Sequence, residues 1–346
     1  MNYLPNLIFA IILLVGIGYF VKNISKLRRN IKLGRDLDVS DNKSQRWKNM
    51  AMIALGQSKM VTRPIAGFLH IIVYVGFVII NIEVLEIIID GLLGTHRIFS
   101  GLGSLYGILI ASFEILAVLV LVAVIVFWVR RNIIKIKRFW KKEMTSWPKN
   151  DANYILYFEM VLMSLFLIMN ATDFHFQDMN SGNAISQFIA PWFENFSEST
   201  LHLVERSAWW LHIVGILIFL NYLYFSKHLH ILLAFPNTYY GSLKPKGEFD
   251  NLEAVTKEVK MMMDPNVDPF AAPEPGTEND IPAKFGASDV QDLNWVQLLN
   301  AYTCTECGRC TSECPANQTG KQLSPRKIMM DTRDRLEEVG KNIDTN

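Results

Sequence analysis

Cysteine is nearly absent from this chain. Of its 346 residues only four are cysteine, and all four fall between positions 304 and 314. A disulfide framework is thereby excluded, since no thiol is left elsewhere to pair. Lysine and arginine are missing from positions 1 to 21, so the first apolar run lacks the basic leader of a cleaved signal peptide, and no small-residue cleavage site follows it. It reads as a retained helix. No basic face interleaved with aromatics lies outside the loops flanking the apolar runs, which sets nucleic acid aside. There is also no phosphate-cradling glycine loop, no dinucleotide fingerprint and no nucleophile–base–acid triad, so no catalytic residue is expected within the chain. The net charge of +1 averages over unlike regions and names no partner.

What is present is oil. Half of the residues are hydrophobic, a fraction typical of a chain that is part membrane and part water-soluble domain. Five runs, at 4–21, 64–90, 104–129, 153–172 and 208–233, are long enough to cross a hydrocarbon core of about 30 Å, which takes roughly 20 helical residues. Between the first two lie eleven lysines and arginines, from Lys22 to Arg63, and between the third and fourth comes RRNIIKIKRFWKK. The other two connections are poor in positive charge: 91–103 holds Arg97 alone, and 173–207 sets five acids against Arg206. Cytoplasmic loops carry the basic excess. The expected topology therefore has the N-terminus outside and everything beyond about residue 234 in the cytoplasm, in a bacterial inner membrane.

Ionisable groups within spans are costly and ask for a reason. His70 lies about two turns into the second run. The fifth holds His212, His228 and His230. On a continuous helix His212 and His230, eighteen positions apart, face the same way at a separation of roughly 27 Å, with His228 turned nearly opposite. Depth then pairs His70 with His230 near the inner surface, where two neutral imidazoles can clamp one haem iron. His228 is expected at the interface beside Lys227, and His96, His175 and His202 in outer loops at the surface. Glu83, Glu86 and Glu114 also sit at membrane depth, as hydrogen-bonding groups or as proton acceptors beside a quinone.

Five spans, an early histidine in the second and the histidines of the fifth ending in FSKHLH resemble the membrane cytochrome b (gamma) subunit of respiratory nitrate reductase over residues 1–235. That family carries two b haems between helices 2 and 5. The resemblance implies that His70 and His230 are the inner-haem ligands and His212 one outer-haem ligand. The second outer ligand falls at Ile80, which has no lone pair, so one haem b is implied and the other lacks its pair.

From about 236 to 290 the composition turns rich in proline, glycine and acid, as in an extended linker, with NLEAVTKEVKMMM able to form one short helix. Residues 291–346 then carry the cysteines. Cys304, Cys307, Cys310 and Cys314 follow C-x2-C-x2-C-x3-C with Pro315 next, the bacterial ferredoxin ligand run for a [4Fe–4S] cluster. Two-residue gaps let the chain curl so that successive thiolates point inward, Gly308 permits close approach, and Pro315 turns the chain away. Zinc sites more often use two separated pairs. In paired runs of this type the fourth cysteine serves a second cluster. Either all four hold one cluster, or the missing ligands come from another chain or segment, and the ending VGKNIDTN reads as a chain cut short. Ser324 is the expected N-cap, with Pro325 first, of the helix that follows.

With a helix on each side of the cysteines, NWVQLLNAYTCTECGRCTSECP onward resembles iron–sulfur oxidoreductases related to heterodisulfide reductase. There a gamma-like membrane domain is fused to a two-cluster helical ferredoxin, often followed by cysteine-rich domains. Together the resemblances imply an all-α chain: a five-helix transmembrane bundle, a linker, and the first half of an α-helical ferredoxin-type domain. The expected role is electron transfer between membrane quinone and a cytoplasmic iron–sulfur oxidoreductase through b haem and the cluster. The alternative is a haem-free anchor that docks a soluble redox complex.

Overall fold

The computed structural model describes residues 3–245, 247–248, 251–266, 268, 284 and 286–345. Of the linker expected over 236–290, positions 269–283 lie outside the described residues; the short helix expected within it is present as Glu253–Met263. Helix accounts for 76% of the structure and no strand occurs among the described residues, so the fold is all-α.

Five long helices match the five apolar runs: α1 Leu4–Ile31, α2 Pro64–Leu93, α3 Ser104–Asn132, α4 Trp147–Thr172 and α5 Glu198–Tyr222. Local chemistry sets their ends. Proline occupies the first turn of α1, α2 and α4, where its missing N–H has no helical partner to lose. Gly94 ends α2 in the left-handed region at φ 74°, and the Ser197 side chain caps α5. All five, with Leu223–Phe225 continuing the last, are long and apolar enough to span a membrane.

The helices pack in sequence around a ring, α1 on α2, α2 on α3, α3 on α4, α4 on α5, and α5 back on α1. Phe113, Ala117, Phe166 and Ile213 are buried at its centre. Helices α2 and α5, the carriers of His70 and His212, are not among the closely packed pairs, which leaves space between them.

The fifth run departs from the expected single helix over 208–233. Helix α5 stops at Tyr222, a tight turn covers Leu223–Phe225, Ser226 is extended, and a second turn leads into α6, His230–Tyr239. Asp151 on α4 captures both sides of the break, accepting from Tyr222 Oη at 2.6 Å and from the Lys227 backbone N–H at 3.1 Å. His212 and His230 therefore do not share a helix, and the register that set His228 opposite to them is lost.

At this same end the C-terminal segment folds onto the bundle. Helices α7, Trp295–Thr303, and α8, Pro325–Thr345, flank the cysteine loop. Leu298 and Tyr302 of α7 and Leu336 of α8 share one hydrophobic core with Leu27, Ile155, Phe219 and Leu229 of the membrane half. Lys26 and Arg29 pair with Asp344, Arg63 with Glu313, and the carbonyl of Arg138 accepts from Arg326 at 2.6 Å. Both basic loops and the cysteine segment thus occupy one end of the bundle.

Candidate redox-cofactor site

The cysteine loop begins where α7 ends. Cys304 turns the backbone out of helix, Glu306 and Gly308 take left-handed φ values of 54° and 71°, and the short helix Arg309–Glu313 follows. These two reversals curl the chain between the cysteines. A Cβ on Gly308 would lie 2.6 Å from Arg326 Nη1, so the position needs glycine for space as well as for φ. Arg326, 1% exposed, is held by Glu143 at 2.7 Å and anchors α8 beneath the loop. Ser324 caps α8 as expected, accepting from Lys327 N–H.

The four thiols are unpaired. Burial pushes the Cys304 thiol up. Burial acts the same way on Cys307, but the backbone N–H and guanidinium of Arg309, the latter 3.3 Å from Sγ, hold it below the ordinary thiol value. A single tetrahedral zinc with bonds of about 2.3 Å draws its sulfurs to about 3.8 Å apart. Among the described residues no three of the four sulfurs lie within 4.8 Å of one another. That separation is wider than a closed tetrahedral zinc site requires.

The histidine pair lies at the same end of the bundle, joined to the loop through Lys227 and Glu306. His70 and His230 have ring centres 6.4 Å apart. Two metal–imidazole bonds of about 2.0 Å, with about 1 Å more from nitrogen to each ring centre, require about 6 Å. His230 Nδ1 lies 3.0 Å from the Lys227 carbonyl. A carbonyl only accepts, so Nδ1 carries the proton and Nε2 keeps its lone pair. His70 Nδ1 is buried without a partner. Two imidazoles at this spacing, one with an orphaned nitrogen, fit a metal held between them, as in a haem with two histidine ligands.

His228 is not at the open interface. It stacks near Phe219 at 5.4 Å and near His230 at 5.4 Å, with Glu159 Oε1 4.0 Å from its Nε2. The broken helix turns it inward.

Toward the opposite end the expected site residues separate. His212 is 1% exposed with Nδ1 3.0 Å from the Leu162 carbonyl, and Ile80 lines the same cavity. Glu114 accepts from Asn170 and from the backbone N–H groups of Ile185 and Ser186, at 2.7 to 3.0 Å. Glu86 accepts from Phe99 N–H and Tyr106 Oη. Both carboxylates hold the loops of this end in place. Glu83 keeps one oxygen buried without a partner. His96, Asp173 and Glu205 bring ligand atoms within 4.8 Å of one another, but Arg97 and Arg206 already neutralise the two acids. His202 is exposed.

The sequence reading missed Lys227 and Glu306. Lys227 Nζ is ion-paired with Glu306, which Arg333 also holds at 2.9 Å. An acid between two ligand cysteines and a lysine amid histidines were the available signals.

Comparison with known proteins agrees in outline. The chain is 27% identical over 339 residues to the probable iron–sulfur-binding oxidoreductase FadF of Bacillus subtilis strain 168, covering 96% of this chain and 43% of that protein. It is 23% identical over 336 residues to the EtfAB:quinone oxidoreductase of Syntrophomonas wolfei subsp. wolfei, covering 91% of this chain and 41% of that protein. A stretch of 53 residues is 40% identical to a probable membrane-anchored ferredoxin of Chromohalobacter salexigens, over 15% of this chain and 8% of that one. The chain therefore spans less than half the length of the relatives it matches end to end. No family model matches it. No solved structure matches it either. The likeness supports an iron–sulfur oxidoreductase-like, multi-pass membrane chain with a role in electron transfer.

Proposed function

We propose that this chain passes electrons singly between membrane quinone and a cytoplasmic iron–sulfur oxidoreductase. Cys304, Cys307, Cys310 and Cys314 hold a [4Fe–4S] cluster, and His70 and His230 ligate one b haem. When bound, the two groups supply one-electron redox chemistry; the chain's own residues fix where they stand. The observation that carries the reading is a continuous link between the two ligand sets. His230 Nδ1 is held by the Lys227 carbonyl, the Lys227 ammonium by Glu306, and Glu306 stands between Cys304 and Cys307. On the other side Arg63, one residue ahead of α2, bonds Ser312 and Glu313 beside Cys310 and Cys314. Both histidine segments are thereby pinned to the loop.

The basic loops set this end of the bundle on the cytoplasmic side. Quinone as membrane partner is in keeping with the name of the S. wolfei relative. Cysteine-rich oxidoreductase subunits or segments, supplying ligands for a second cluster, are the expected soluble partner.

The test is the reduced-minus-oxidised visible spectrum of the purified chain with its iron content. A b-type α-band that vanishes in both His70→Ala and His230→Ala, while cluster iron remains, supports the reading. Cluster iron without any b-type band supports a haem-free docking anchor instead.

A further inference from the structure

Between α2 and α5, in the middle of the apolar spans, lies a cavity of about 80 Å³ that the haem and cluster sites do not use. That is several times the roughly 15 Å³ one water needs and about half the roughly 150 Å³ that encloses a benzene ring, so a ring bound here extends out through the opening. Its walls are almost wholly aliphatic and aromatic. Two titratable side chains reach it, His212 and Glu159.

His212 is the informative one. Its Nδ1 faces the Leu162 carbonyl and so bears the proton, which leaves Nε2 as a lone-pair acceptor. Among the described residues Nε2 makes no hydrogen bond, and it is not sealed within the packing but open to the cavity. A polar nitrogen facing an apolar cavity at membrane depth gains from any hydrogen-bond donor that enters. Across the cavity stands Ile80, which cannot complete a metal's coordination. The atom is thus offered to a hydrogen-bond donor.

The cavity's position names the chemistry of that donor. Its mouth is bordered by Phe77 and Asn81, both exposed on the outside of α2, so it opens sideways to the acyl chains. At its inner end Phe219 and Glu159 border it, and these same side chains contact His228, whose ring centre is 5.4 Å from that of His230. One layer of side chains separates the cavity from the histidine pair. A lipid-facing apolar cavity with one polar nitrogen suits a head group that carries a hydrogen-bond donor, with any apolar tail left in lipid.

We infer that this cavity is the binding site of the quinone or quinol ring, with His212 Nε2 accepting from a ring hydroxyl and Glu159 facing the ring's other edge. The inference rests on the electron-transfer reading above and locates its quinone contact. Glu83, Glu86 and Glu114 line no part of this cavity.

The experiment uses the full chain in lipid nanodiscs with menadione, a naphthoquinone, as the titrated probe after reduction, and the b-type spectrum recorded in parallel. His212→Leu removes the acceptor at similar volume, and Ile216→Trp fills the cavity without touching a polar group. Both variants are expected to weaken binding, by about tenfold for His212→Leu and beyond detection for Ile216→Trp, with the b-type band and cluster iron unchanged. Wild-type affinity in both variants overturns the site. So does loss of a second haem in His212→Leu, which makes that histidine an iron ligand. Binding that depends on both residues in a protein without any b-type band keeps the site and defeats the haem reading instead.

Discussion

Lys227 and Glu306 form a buried ion pair that joins the turn ahead of α6 to the cysteine loop, with side chains 9% and 2% exposed. Glu306 is held in a left-handed backbone conformation that a glutamate rarely adopts, and its two cationic partners, Lys227 and Arg333, repay that strain. The pair locks the His230 segment and the Cys304–Cys307 segment into one rigid unit.

Removing one partner strands the other charge in a desolvated place. Glu306→Gln is expected to lower stability by about 3 kcal/mol, read by thermal unfolding in nanodiscs. It also raises the cluster's midpoint potential, since a negative charge beside the sulfurs is lost. Adding Lys227→Met to it should recover part of the stability. A double variant that is as unstable as the sum of the two singles would mean that the two residues act separately.

Gly308→Ala tests the loop's curl. An alanine at φ 71° costs about 1–2 kcal/mol in backbone strain, and its methyl must displace the Arg326 guanidinium from the Arg138 carbonyl and Glu143. Expected is a protein that inserts normally yet loses iron on dilution, measured as iron per chain after gel filtration. Full iron retention counts against the packed glycine.

Exchange of a ligand thiol should separate the two cofactor sites. In Cys307→Ser the cluster iron and its brown absorption are expected to fall to background while a b-type band from His70 and His230 persists. The loss of both signals together would show that the His pair forms only on an assembled cluster domain.

Topology has its own measurement. A periplasm-dependent phosphatase fused after Asn346 is expected to be inactive, and one inserted in the 91–103 loop active, because basic loops stay inside. The reverse pattern removes the proposed cytoplasmic partner.

Much of this was legible in residues. Five apolar runs predicted five helices because a spanning helix is specified by length and hydropathy alone; four of them ran longer at an end, as with Leu4–Ile31 against 4–21, while the fifth stopped short of 233. Ser324 and Pro325 marked the start of α8 by local capping chemistry. The break after Tyr222 was not legible. No proline or glycine interrupts NYLYFSKHLH, and the interruption comes from Asp151, a residue on another helix. The inward turn of His228 failed with it, since its expected direction assumed an unbroken 3.6-residue period.

By itself, then, the amino-acid order determined what is written locally: helix by hydropathy, ligand loop by cysteine spacing, end of the bundle by basic charge. Only the tertiary structure decided which groups meet. It tied Glu306 to Lys227, turned His228 inward, and left His212 facing a cavity instead of a second ligand. The reason is that a side chain's partner depends on contacts between helices far apart in sequence, and one buried carboxylate at such a contact can override a long helical period.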